Sequence, residues 1–187
     1  MITSLFVWWF KLKGWKVHGT IPGEIRKAVV IAAPHTSQWD FVYSLAAFKI
    51  LGLKVSYLAK QELFRFPIKW ILESTGGIPV KRDRSQKLVD QMAERINESE
   101  QLYMMIPAEG TRKAVTNWKS GFYYAALKAG VPVMPGFLDY KNKLAGFGPP
   151  IHLSGDKDKD MKIIYEFYKD ITAKHPALFN PEAIRID

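Results

Sequence analysis

The stretch Val29-Val30-Ile31-Ala32-Ala33-Pro34-His35-Thr36-Ser37-Gln38-Trp39-Asp40 decides how this chain is read. Its first five residues form a short apolar run, rich in β-branched side chains and stopped by Pro34, which is the pattern of a buried strand. Asp40 to Leu51, closed by Gly52, then carries apolar residues at helical spacing, with Val42, Leu45, Ala46 and Phe48 available to a core. Val55 to Ala59 is a second short strand. The polar segment His35 to Asp40 therefore lies between the end of a strand and the start of a helix, where an α/β sheet presents its ligands.

Outward from this unit the alternation continues. Phe66 to Ser74 reads as a helix, with Pro67 tolerated in its first turn and Gly76-Gly77 ending it. Ile78-Pro79-Val80 follows as a strand at a sheet margin, where proline costs least. Ser85 to Ser99 is an amphipathic helix whose Leu88, Met92 and Ile96 form a core stripe. Leu102 to Ile106 is a strand, Lys119 to Ala129 a helix closed by Gly130, and Val131 to Pro135 a further strand. Ile151-His152-Leu153 is expected as a last strand, and Met161, Ile164, Tyr168 and Ile171 mark a C-terminal helix. Strands alternating with helices predict a single α/β domain with a mixed, mainly parallel sheet flanked by helices.

Composition narrows the partners. The 187 residues are 48% hydrophobic and 24% charged, enough apolar side chain for a proper core, so disorder is excluded as the main description. With no cysteine there is no disulfide, thiolate metal site or cysteine nucleophile. The charge of +9 and the six tryptophans suit a nucleic acid, an anionic lipid or an acidic small molecule. No nucleic-acid motif is visible, which leaves a non-catalytic basic membrane-binding module as the alternative to an enzyme.

The N-terminal window Ile2 to Phe10 is the most apolar of the chain and is followed by Lys11, Lys13 and Lys16. It falls short of the roughly 20 residues that a membrane span needs. It also lacks the flanks of a secretory signal. On a helix, Ile2, Leu5, Phe6, Trp8, Trp9, Phe10 and Leu12 share one broad face. Residues 1–16 are accordingly expected to be an amphipathic interfacial segment, meeting a membrane surface through Trp8, Trp9, Lys11 and Lys13. The other use of such a face is packing on residues 17–187, the domain itself.

Three loops carry chemistry. His35 and Asp40 would point about 140° apart on one continuous helix, so they meet only if His35 sits in the loop and Asp40 enters the helix. Thr36 or Ser37 is the expected N-cap. A carboxylate on one imidazole nitrogen leaves the other as a general base. Taken alone, this spacing reads as a hydrogen-bonded loop histidine. Lys81-Arg82-Asp83-Arg84 follows a strand and fits either a phosphate site or a solvated charge run. Glu109-Gly110-Thr111-Arg112 also follows a strand, with Lys119 and Gly121 opening the next helix, where backbone N–H groups suit an anion. There is no Walker loop and no nucleophile elbow. His18, His152 and His175 have no metal-ligand spacing, and no metal is expected.

Taken in order, these loops resemble the motifs of the 1-acylglycerol-3-phosphate acyltransferase family. The segment His35 to Asp40 resembles its histidine–aspartate motif, Gly77 to Arg82 its second, Glu109 to Arg112 its third and Val131-Pro132-Val133-Met134-Pro135 its fourth. The stretches Ala59 to Phe64 and Trp118 to Gly121 are also similar to family sequence, so the likeness spans about residues 17 to 153. It implies a glycerolphosphate-acyltransferase-like fold over 17–187. It also implies transfer of a fatty acyl group from acyl-CoA or acyl carrier protein to a lysophospholipid hydroxyl, without cofactor or covalent intermediate.

In that reading His35 is the base and Asp40 orients it. Arg82, Glu109, Gly110, Thr111, Arg112 and Lys119 meet the acceptor and its phosphate, and Glu109 positions Arg112 or the acceptor hydroxyls. Backbone N–H groups near Gly110 or the helix start serve the oxyanion. The expected setting is peripheral, on the cytoplasmic face of a membrane. Four motif neighbours depart from the family pattern: Pro34, Lys81, Ala108 and Gly136. These leave open a second reading, a related acyltransferase with a non-phosphorylated or amino-lipid acceptor.

Overall fold

The computed structural model of the chain describes residues 2–80 and 85–186. Its elements are α1 (Ile2–Leu12), β1 (Lys16–His18), β2 (Lys27–Ala32), α2 (Trp39–Ile50), β3 (Val55–Lys60), α3 (Ile68–Ser74) and β4 (Gly77–Val80). They continue with α4 (Ser85–Glu98), β5 (Leu102–Ile106), α5 (Gly121–Ala129), β6 (Val133–Asp139), β7 (Leu144–Phe147) and α6 (Lys157–Tyr168). The strands form one mixed sheet in the order β1-β7-β6-β2-β5-β3-β4, parallel throughout except between β6 and β7. The expected α/β domain is present, and β4, the strand containing Pro79, is at the sheet edge.

β2 sits between β5 and β6, with Ile31 opposite both Ile106 and Pro135. Its side chains alternate between two cores. Val29 and Ile31 join Met92 and Ile96 of α4 and Phe122 of α5 on one face. Ala28 and Val30 join Leu45 and Phe48 of α2 on the other. A strand buried on both faces has no polar positions to alternate, which is why its sequence reads as a continuous apolar run. The chain runs from β5 across β2 to β6, so the loop after β2 lies where the strand order reverses. Open α/β sheets gather their ligands at that crevice.

Two short strands escape the sequence pattern, and one expected strand is reduced. Ile151 makes a single bridge to Val133, and the pairing surface beyond β6 is supplied instead by Leu144 to Phe147. β7 contains Gly146, where any Cβ would run into the carbonyl oxygen of His18 in β1. Glycine lets the two backbones approach, and it also erases the side-chain signal by which a strand is recognised.

The N-terminal segment forms the expected helix, yet much of its apolar face is spent on the domain. Phe10 is fully buried with Trp15 and Tyr43, and Phe6, Val7 and Trp9 pack beside them against α2. Trp9 stacks on Trp39 at 5.9 Å between ring centroids, with the Lys13 ammonium 4.5 Å above the Trp9 ring. Ile2, Leu5, Trp8 and Leu12 remain on the outside. Of the four residues expected at a membrane, Trp8 and Lys11 face outward free of these contacts, whereas Trp9 and Lys13 are engaged within the domain. No helix among the described residues is long and apolar enough to cross a membrane.

Candidate active site

β2 ends at Ala32 and α2 begins at Trp39, so His35 lies in the connecting loop and Asp40 in the first helical turn. His35 Nδ1 stands 3.4 Å from Asp40 Oδ2, with the imidazole about a quarter exposed and the carboxylate buried. Oδ2 of Asp40 also accepts the backbone N–H groups of Thr36 and Ser37, each at 2.8 Å. The carboxylate thus folds back over the loop it follows, fixing the turn that carries His35. This replaces the expected cap. Gln38 occupies the cap position without a side-chain cap bond, and Ser37 Oγ accepts the Trp39 N–H at 3.2 Å. Thr36 Oγ1 is taken from another direction, by the N–H of His175 at 3.2 Å.

The second Asp40 oxygen has a partner that no motif announces. Tyr140, in the turn between β6 and β7, donates its hydroxyl to Oδ1 at 2.6 Å. Asp40 then has three donors at Oδ2 and one at Oδ1. Burial pushes its pKa up. The bonds from His35, Tyr140 and the Ser37 N–H outweigh that, so the group is held below its ordinary value. Burial, and then the bond to Asp40, push the Tyr140 hydroxyl upward, so it remains a donor. Sequence reading missed Tyr140 because it is a hundred residues from Asp40.

Glu109, after β5, turns inward. Its side chain is only 1% exposed, and Oε1 accepts the His35 backbone N–H at 2.6 Å. The expected partners were Arg112 or the acceptor hydroxyls; the contact seen is a brace on the main chain of His35. Burial raises its pKa from 4.5 to about 7, the His35 N–H opposing and the Asp40 charge reinforcing the shift. Gly110 has φ +69, a conformation that L side chains rarely adopt. Its N–H is spent on the Pro107 carbonyl at 3.0 Å, and that of Lys119 on Ala108 at 2.8 Å. Neither is left to serve an oxyanion.

Thr111, Arg112 and Lys119 are exposed on this loop, and the Thr111 hydroxyl accepts the Lys113 N–H at 3.3 Å. Arg82 lies outside the described residues. A cavity of about 440 Å³ opens beside the pair. His35, Asp40 and Arg112 line it at the loop end, and it runs between α2 and the sheet past Phe41, Phe48 and Tyr57. Among its exposed lining residues are Lys60, Leu63, Pro107 and Arg112, which mark its rim. Among the described residues, no three histidine, aspartate or glutamate side chains gather as a metal ion would require.

A histidine–carboxylate pair, a cationic loop and an apolar cavity converge at one sheet crevice, and the sequence that builds them matches the model of a known family. Its acyltransferase model covers residues 15–138, two-thirds of the chain. This chain belongs to the acyltransferase family. Among curated proteins it is similar to a 1-acyl-sn-glycerol-3-phosphate acyltransferase of Haemophilus influenzae, 33% identical over 136 residues, which cover 67% of this chain and 55% of the relative. The match thus spans about half the length of that relative. The fold is similar to the crystal structure of a 1-acyl-sn-glycerophosphate (LPA) acyltransferase from Thermotoga maritima. The TM-score is 0.62 at 17% identity, over 91% of this chain and 77% of that one.

Proposed function

We propose that this acyltransferase-family chain moves a fatty acyl group from a thioester, on coenzyme A or acyl carrier protein, to the free hydroxyl of 1-acylglycerol-3-phosphate at a membrane surface. The observation that carries the reading is the His35–Asp40 pair, 3.4 Å apart, at one end of an apolar cavity that Arg112 also lines. The substrate named for the Haemophilus influenzae relative favours the phosphorylated acceptor.

The chemistry follows from the residues. A neutral hydroxyl attacks a thioester poorly until a base takes its proton. With Nδ1 directed at Asp40, Nε2 of His35 is the nitrogen left for that task. The acceptor oxygen adds to the thioester carbonyl as its proton passes to Nε2. Collapse of the adduct breaks the carbon–sulfur bond, and the thiolate recovers the proton from His35. A thiol of pKa about 8.5 leaves with little acid assistance, so one histidine serves both steps. Asp40 holds the tautomer and stabilises the imidazolium, while Tyr140 and the Thr36 and Ser37 N–H groups hold Asp40. Proton transfer of this kind is worth roughly 10²–10⁴-fold.

Arg112 and Lys119, exposed and without an ion pair among the described residues, are assigned to the acceptor phosphate together with Arg82. The apolar cavity is assigned to the acyl chain. The outward side of α1, with Leu5, Trp8 and Leu12 beside Lys11, is assigned to the membrane.

The test is thiol release from acyl-CoA and from acyl carrier protein against a panel of acceptors. Release that depends on lysophosphatidic acid is expected. Turnover with unphosphorylated or amino-lipid acceptors and none with lysophosphatidic acid refutes the phosphate assignment and selects the second reading.

A further inference from the structure

The two most exposed large apolar side chains among the described residues lie on a segment that the catalytic pair does not use. Phe66 is 78% exposed and Trp70 67%, and Ile68, Leu63 and Ile71 are each at least 41% exposed. They occupy residues 63 to 71, ending in α3, a helix in which no residue is fully buried. Phe66 and Trp70 meet edge to face at 5.4 Å, which gives the outer surface of α3 a contiguous aromatic ridge. An apolar cluster of this kind on a folded domain marks a surface that has a partner.

Two further observations specify the partner. The segment is continuous with the cavity: Lys60 and Leu63 line its rim, and Leu72, one helical turn beyond Ile68, lines its interior. Leu72 of α3 therefore reaches the cavity, while Phe66, just before the helix, and Trp70, on its opposite side, stand in water. The charges of the segment are Lys60, Arg65 and Lys69 against Glu62, with Glu73 just beyond it. Lys60 and Arg65 have no acidic partner among the described residues, and Lys69 is shared with Glu73 at 3.8 Å. An aromatic and aliphatic ridge framed by cations is the composition that settles at the boundary between headgroups and acyl chains. Tryptophan is suited to that depth because its ring is apolar and its N–H remains wet.

We infer that residues 60–71 form a bilayer-docking wedge, inserted at the level of the lipid headgroups, that sets the mouth of the acyl cavity against an anionic membrane. The inference rests on the proposed lipid acylation, and it adds the place at which the lipid enters. Docking by this wedge lets a long acyl chain pass from bilayer to cavity between Leu63 and Leu72 without crossing water. α1 then contributes a separate contact.

The experiment compares the full chain with the double variant Phe66→Asp/Trp70→Asp. Flotation is measured on vesicles of phosphatidylcholine alone and of phosphatidylcholine mixed equally with phosphatidylglycerol. Both substituted side chains point away from the core, so thermal melting and circular dichroism are expected to match the parent. Transfer to a water-soluble short-chain acceptor should also be unchanged. Vesicle affinity is expected to fall about tenfold or more, given the apolar area withdrawn. A milder variant, Phe66→Ser/Trp70→Ser, should fall by less in the same direction. Parent-like flotation of both variants overturns the inference. So does a self-associated parent that dissociates on substitution while its vesicle binding persists, since the ridge would then serve a second copy of this chain. Loss of vesicle binding in a chain that acylates no acceptor overturns the proposed activity and supports the wedge.

Discussion

Glu109 offers the sharpest test of the site, because its predicted behaviour depends on one buried carboxyl and one hydrogen bond. The perturbation is Glu109→Gln, which keeps an oxygen to accept the His35 N–H and removes the ionisation. In the unfolded chain the carboxyl titrates near 4.5, and in the folded chain near 7, with burial the main cause. Below pH 4.5 the group is protonated in both states and contributes no pH dependence. As pH rises from 4.5 to 7, the unfolded chain ionises while the folded chain retains its proton, so stability is lost. Above 7 both states are ionised and the full penalty stands. At 1.36 kcal/mol per pH unit, the gap between 4.5 and about 7 amounts to about 3 kcal/mol. The variant should therefore gain on the parent by about that much between pH 4.5 and 7.5. The assay is urea denaturation of both proteins across this range, in which groups common to the two cancel in the difference. A stability difference that stays flat across the range refutes a Glu109 with a raised pKa, and with it the argument from its burial.

Further outcomes follow from the same geometry. His35→Ala should leave the melting transition in place and reduce thiol release by roughly 10²–10⁴-fold; retained transfer would remove His35 from the role of base. Tyr140→Phe deletes one of the bonds that hold the Asp40 carboxyl low, so the acid limb of the kcat/KM profile should move to higher pH. It should also cost about 1–2 kcal/mol in denaturation. An unmoved acid limb would leave Tyr140 a purely structural role. Ser44→Phe places a ring in the cavity from α2 and should depress transfer of long acyl chains more than short ones. Equal losses across a donor chain-length series would argue against the cavity as the acyl site.

Much of the site can be read along the chain because its parts are local. Val29 to Ala33 announce a strand buried on both faces, and the polar segment after it places His35 in a loop and Asp40 at a helix start. The spacing of five residues is enough for the two side chains to meet, since the intervening turn is closed by the Asp40 carboxylate itself. The loop at Glu109 is equally visible, but its direction is not. That residue was expected to face a ligand, and it faces the backbone of His35, because β5 lies beside β2 in the sheet. β1 and β7 are hidden for a different reason. A strand of three residues and one that holds a glycine against its neighbour carry too few side chains to pattern.

What the sequence by itself determined is the order of strands and helices, the loops that hold polar residues, and the family those loops resemble. Each depends on residues close together along the chain, where periodicity and turn chemistry act. Tertiary structure alone decided which of those residues serve one another. It brought Tyr140 to Asp40 across a hundred positions, and it buried Glu109 under His35. It divided the apolar residues of α1 between the domain and the outside, and left Phe66 and Trp70 in water beside the cavity rim. The physical reason is the same in each case. Burial and hydrogen-bond partnership arise from the sheet order β6-β2-β5 and the helices laid over it, and no local pattern encodes which side of a residue that packing will cover.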